Sequence, residues 1–143
     1  MIRSRRRLLP VALAAALVAA ACGPAPHATD YRAFSVHYAF RIGSTPVPPM
    51  ARERARFKIV VRDKESGQPI ENGEGVLYAE TRDGVKTWDT LVPGQELGTY
   101  YANLNFLVAG EWAMGLRFRR DSTQQLEQVD WMQEVAADTS SIP

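Results

Sequence analysis

Residues 74–91 read EGVLYAETRDGVKTWDTL. Two runs rich in Val, Leu, Tyr, Thr and Trp flank Asp83-Gly84. Asp-Gly between such runs is a strong short-range signal for a β-hairpin, because glycine accepts the positive φ that a tight reversal needs. Glu74–Arg82 and Val85–Leu91 are therefore expected to pair antiparallel around a two-residue turn.

The same alternation extends in both directions. In ERARFKIVVRD (53–63), Ala55, Phe57, Ile59 and Val61 share one face, and Arg54, Arg56, Lys58, Val60 and Arg62 share the other. A period of two with one apolar face reads as a half-buried strand. DKESGQPI (63–70) is a turn in which Gly67 is free to take positive φ and Pro69 restarts an extended chain. Upstream, AFSVHYAFRI (33–42) places Phe34, Val36, Tyr38, Phe40 and Ile42 on one face of a single strand, with Ser35, His37 and Arg41 opposite. The prolines of GSTPVPPM (43–50) end it, since proline is barred from a central strand.

Downstream, GTYYANLNF (98–106) aligns Tyr100, Ala102, Leu104 and Phe106, and EWAMGLRFRR (111–120) aligns Trp112, Met114, Leu116 and Phe118. TQQLEQVDWMQEV (123–135) fits two periods. Leu126, Val129, Met132 and Val135 recur as on a helix, while Val129, Trp131, Gln133 and Val135 alternate as in a strand. A strand is expected, because it pairs back onto 111–120 through the Asp121-Ser122-Thr123 turn. Residues 137–143 read as a disordered tail.

About seven short strands with frequent turn signals describe an all-β chain. The economical arrangement is an immunoglobulin-like antiparallel β-sandwich. The chain has 143 residues, which fits one domain, and a single cysteine, which leaves no internal disulfide. Trp112, Tyr100 and Phe57 are expected to fill the space between the sheets instead.

The N-terminus, MIRSRRRLLPVALAAALVAAAC, has a basic start, an apolar run from Leu8 to Ala21, and small residues before Cys22. That is the layout of a secretory signal, and the run is too short to cross a membrane comfortably. VAAAC resembles the bacterial lipobox, although Ala19 stands where leucine is usual. The resemblance implies that residues 1–21 are a helical signal peptide and that Cys22 is lipidated and becomes the N-terminus. Residues 22–32 then form a flexible tether, and 33–136 the folded domain. Gly23 after the cysteine favours the outer membrane over the inner one, by the same resemblance. The chain is therefore expected in the cell envelope, with the membrane as a partner through the lipid and another envelope protein as a further partner.

Formal net charge is +1, but Arg3, Arg5, Arg6 and Arg7 lie in the leader. Taking these four from the 17 basic residues leaves 13 against 16 acidic ones. No strongly basic face is expected on what remains, which argues against nucleic acid as a partner.

Two segments carry a wider resemblance: DKESGQPI between strands, within Phe57–Leu77, and GTYYANLNFLVAGEWAMGLRF, Gly98–Phe118. Together they resemble the FixH-like and YtkA-like family of small bacterial extracytoplasmic domains, over roughly Ala55–Phe118. The resemblance implies a β-sandwich with Tyr100 or Tyr101 and Trp112 as core anchors and Gly98 and Gly110 as hinges. It also implies a role near metalloenzyme assembly or copper handling. The chain departs from the membrane-anchored members by carrying a lipid signal in place of a transmembrane helix.

Copper sites draw on Met, His and Cys at short range. Beyond Cys22 the donors are His27, His37, Met50, Met114 and Met132. His27 is in the tether and Met114 is in an inward row. His37 with Met50 is the best candidate metal pair. For hydrolysis, Glu80 and Asp89 are the outward hairpin neighbours nearest to a carboxylate pair. Zinc-ligand spacing, a phosphate-binding glycine loop and a base beside any serine are all missing. Trp88 is a candidate recognition anchor if exposed. The sequence therefore points to a non-catalytic envelope lipoprotein that needs no cofactor. Copper or another metal is the alternative ligand, and a hydrolase is the second alternative.

Overall fold

A computed structural model describes residues 31–141. The expected signal segment 1–21, Cys22, His27 and the part of the expected tether before Tyr31 lie outside the described residues. Two antiparallel sheets face each other. The first runs, edge to edge, β1 (Tyr31–Phe34), β2 (Tyr38–Thr45), β3 (Arg54–Asp63), β7 (Thr99–Asn105) and β6 (Val92–Pro93). The second runs β5 (Lys86–Thr90), β4 (Glu74–Glu80), β8 (Gly110–Arg119) and β9 (Glu127–Val135). The chain crosses between sheets after β3, at Leu91 and after β7, which makes the fold a sandwich rather than a meander. Among the described residues, nine strands stand where about seven were expected, because one expected strand is split and the return from β5 adds the two-residue β6.

Alternation explains the core. Ala55, Phe57, Ile59 and Val61 of β3 are buried, as are Tyr100, Ala102 and Leu104 of β7 and Trp112, Met114, Leu116 and Phe118 of β8. Tyr38, Phe40 and Tyr100 ring Phe118 edge-on, with centroids 5.1, 5.9 and 5.4 Å away. A second group joins Phe106 to Trp112 at 5.1 Å and to Phe57 at 6.3 Å. Each such side chain contributes about 1.5–3 kcal/mol relative to exposure, so these aromatic groups hold the sheets together in a chain whose single cysteine leaves no internal disulfide. The polar tips are satisfied. Trp112 Nε1 donates to Val108 O at 3.1 Å. Tyr100 Oη donates to Ile70 O at 2.6 Å and accepts from Gly73 N–H at 2.8 Å. Among the described residues, the core runs from Ala33 to Val135, so this segment carries a core of its own.

The single strand expected over 33–42 is corrected. The chain turns back at Ser35-Val36-His37, so that β1 and β2 form a hairpin with Phe34 opposite Ala39. Phe34 and Val36 are 64% and 73% exposed rather than inward. The turn is held from outside the segment. Lys64 N–H donates to His37 O and Lys64 Nζ to Ser35 O, and Glu127 takes His37. Tertiary bonds of this range override a local period that no window of sequence could refuse.

The Asp83-Gly84 hairpin forms as β4 against β5, but with a three-residue loop. Gly84 N–H donates to Thr81 O, Thr81 N–H donates to Val85 O, and Gly84 takes φ +85°. That is a type I turn followed by a left-handed glycine. Residues 127–135 form a strand and not a helix, in register with β8 from Phe118↔Glu127 to Gly110↔Val135. Gly98 and Gly110 hold φ +72° and +114° at the reversals into β7 and β8. After β9, Ser140 N–H and Oγ cap onto Asp138 in a 3-10 turn, Thr139–Ser141.

Candidate functional site

His37, the one histidine among the described residues, sits in the β1–β2 turn at one end of the sandwich. Its amide donates to Glu127 Oε2 at 3.0 Å, and its Nδ1 contacts Glu127 Oε1. The imidazole side chain is 69% exposed, and the Glu127 side chain only 15%. Burial opposes the charge of Glu127. The His37 amide, the Ser35 hydroxyl and the His37 ring outweigh that and hold the carboxyl below its usual range. An ionised Glu127 fixes the proton on Nδ1 and the plane of the ring. Nε2 is then the ring nitrogen turned to solvent, the orientation a carboxylate imposes on a metal-binding histidine.

Met50 does not join it. Met50 forms a bridge with Ala136, beside the end of β9, with Ala51 N–H on Ala136 O and Ala136 N–H on Pro49 O. Glu127 and Ala136 are separated by the whole of β9, about 30 Å at ~3.3 Å per residue. His37 and Met50 therefore lie at opposite ends of the domain, and the expected convergence is corrected. Of the other methionines, Met114 is core filler and Met132 is 58% exposed on the outer face of the second sheet. Among the described residues, no three His, Cys, Asp or Glu side chains cluster as a metal-binding group.

The expected acid pair also dissolves. Glu80 points outward and pairs with Lys86 at 3.5 Å. Asp89 stands opposite the buried Leu77 and turns toward the first sheet, where its Oδ2 accepts Asn103 N–H at 2.8 Å. It caps the part of β7 that the short β6 leaves unpaired. The two carboxylates sit on opposite faces of the sheet and cannot flank one bond.

Trp88 is 68% exposed. It faces Tyr78 across the β4–β5 ladder, and the same row continues to Gly115 and Asp130. The Tyr78 ring lies flat over Gly115, so closely that a Cβ there would stand 2.1 Å from it. The Arg117 guanidinium sits 5.3 Å from the same ring and donates to Gln128 at 3.0 Å. This gives a shallow hollow lined by Trp88, Tyr78, Val76 and Arg117. Trp88 is thus exposed, with an arginine on the same face.

One feature of the surface was missed. The outward positions of β1, β2 and β3 carry Arg32, Arg41, Arg54, Arg56, Lys58 and Arg62, all exposed, and no outward strand position of that sheet carries an acid. The expectation of no strongly basic face is corrected. The alternation of Arg54, Arg56, Lys58 and Arg62 is visible in the sequence. That Arg32 and Arg41 join them follows from the hairpin register, which is not.

No family model and no curated protein matches the sequence. Among solved structures, the chain is similar to a copper-bound variant of FetP from uropathogenic Escherichia coli. Identity is 12%, the TM-score is 0.55, and the match covers 80% of this chain and 96% of the other. The likeness is one of fold: an all-β, immunoglobulin-like sandwich, without a specific tie to the FixH-like or YtkA-like family.

Proposed function

We propose that the chain is a non-catalytic accessory lipoprotein of the cell envelope, anchored through Cys22, whose sandwich handles copper. The observation that carries this reading is His37, exposed and oriented by Glu127, on a fold shared with copper-bound FetP. His37 Nε2 supplies one ligand, Glu127 sets its tautomer, and the remaining positions are taken by water or by a partner. This is the arrangement of an ion passed on rather than one enclosed.

The test is a copper titration of the domain against a competing chelator, in both oxidation states. Stoichiometric binding is expected, lost in His37→Ala and weakened about 10–100-fold in Glu127→Gln. Met50→Ala is expected to bind as the wild type does. Absence of binding, or binding indifferent to His37, overturns the copper reading. Mass spectrometry of the mature N-terminus checks the anchor, with diacylglycerol expected on Cys22 and an outer-membrane fraction expected on separation of the envelope.

A second reading is favoured by Trp88. Its exposure beside Tyr78 and Arg117 suits recognition of an envelope protein. Crosslinking from a photoreactive residue at position 88, compared with one on the basic sheet, tests it. A single adduct specific to position 88 supports it, and equal labelling from both sites removes it.

A further inference from the structure

The two outer faces of the sandwich differ in charge. The second sheet presents Glu74, Glu80, Glu111, Asp130 and Glu134 against Lys86, Arg117 and Arg119, and these three cations hold partners within the same face. Apart from Arg41, the first sheet presents Arg32, Arg54, Arg56, Lys58 and Arg62, and among the described residues the one ion pair these five make is Lys58 with Glu96 at 3.6 Å, both side chains well exposed. Such an exposed pair neutralises little in water. Arg56 lies 4.1 Å over the Tyr101 ring, and Arg62 donates to Gly67 O. Both contacts hold the guanidinium in place without cancelling its charge.

We propose that this face docks on a bilayer surface rich in anionic phospholipid headgroups. The lipid-anchored reading above supplies the setting. β1, where the described chain begins, is the edge strand of this same sheet. Gly23–Asp30 is eight residues, which span at most about 28 Å. β1, β2, β3 and β7 together are only about 15–20 Å wide at ~4.8 Å per strand. A lipid at Cys22 can therefore lie in the plane on which the face rests. Phe34, 64% exposed, stands on the same outward row as Arg32 and close to Arg62. Val92, 60% exposed, stands at the other end of the sheet beside Tyr101. An exposed aromatic among arginines is suited to the boundary between headgroups and acyl chains. Docked this way, the domain turns Trp88 and the acidic sheet away from the membrane, toward partners.

The test uses the chain from Gly23 onward without lipid, which retains every described core residue. It is sedimented with vesicles of phosphatidylcholine alone and of phosphatidylcholine mixed with phosphatidylglycerol. Binding is expected only to the second, and is expected to fade as salt shortens the Debye length. Each cation at the surface adds about a fivefold gain in affinity, so Arg32→Gln with Arg54→Gln and Lys58→Gln should lose about 100-fold. Arg82→Gln with Lys86→Gln, at the opposite sheet, should bind as the wild type does. Thermal melting of each variant checks that the fold is intact. No preference for the anionic vesicles overturns the proposal, as does an equal loss in both variants. Binding to soluble heparin as tight as to vesicles also overturns it, in favour of a general polyanion site. Because the protein tested carries no lipid, a finding that Cys22 is unmodified would leave this result standing.

Discussion

Tyr100→Phe removes one oxygen from the middle of the sandwich. That hydroxyl bridges two backbone groups, Ile70 O at 2.6 Å and Gly73 N–H at 2.8 Å, and Tyr100 itself is 1% exposed. Burial is also what raises its pKa, against the Gly73 N–H that lowers it. The substitution keeps the ring and its edge contact with Phe118, so packing is nearly conserved. What it leaves is a buried carbonyl and amide without the hydroxyl that joined them. Two net hydrogen bonds and part of the desolvation penalty amount to about 2–4 kcal/mol. For a domain of this length that is a fall in Tm of roughly 10–20 °C. Urea and thermal unfolding followed by circular dichroism measure it, with Tyr101→Phe, on the outer face under Arg56, as the neutral comparison. A Tyr100→Phe variant within about 0.5 kcal/mol of wild type would refute the reasoning, because it would mean the Ile70–Gly73 segment finds other partners.

Other consequences are open to the same assays. Gly115→Val places a branched side chain where the Tyr78 ring lies, and should cost about 1–3 kcal/mol through overpacking, read as a lower urea midpoint. Asp89→Ala leaves Asn103 N–H uncapped at a sheet edge. A loss of about 1–3 kcal/mol is expected, together with concentration-dependent association on light scattering, since open edges template pairing. Glu127 has a folded pKa below its unfolded value, so its stabilisation is present above the unfolded pKa and lost as pH falls through the folded one. Glu127→Gln should therefore be less stable than wild type at neutral pH and converge with it in acid, as measured by Tm against pH.

Much of the fold was legible, for a physical reason. Strands with one buried face must alternate, and Phe57, Tyr100, Trp112 and Phe118 lie in inward rows as their sequences require. The reversals at Gly67, Gly84, Gly98 and Gly110 were marked by the residue that tolerates positive φ. What failed was decided by contacts distant in sequence. The turn at Ser35–His37 is held by Lys64 and by Glu127, 90 residues away, so local alternation continued the strand through it. The same ignorance of long-range register paired His37 with Met50, which the chain carries to opposite ends, and overlooked Glu127, the carboxylate that orients the imidazole. The basic face was half visible on β3, but its extent depends on β1 folding back beside β2. Trp88 is exposed, because a tryptophan on the outward row of an edge strand has little to cover it.

The most direct measurement is electron paramagnetic resonance of the wild-type domain loaded with one equivalent of copper(II). The account predicts a protein-bound spectrum with nitrogen coupling from one imidazole, abolished in His37→Ala and retained in Met50→Ala. A spectrum of free aqueous copper, or nitrogen coupling that persists without His37, would contradict it.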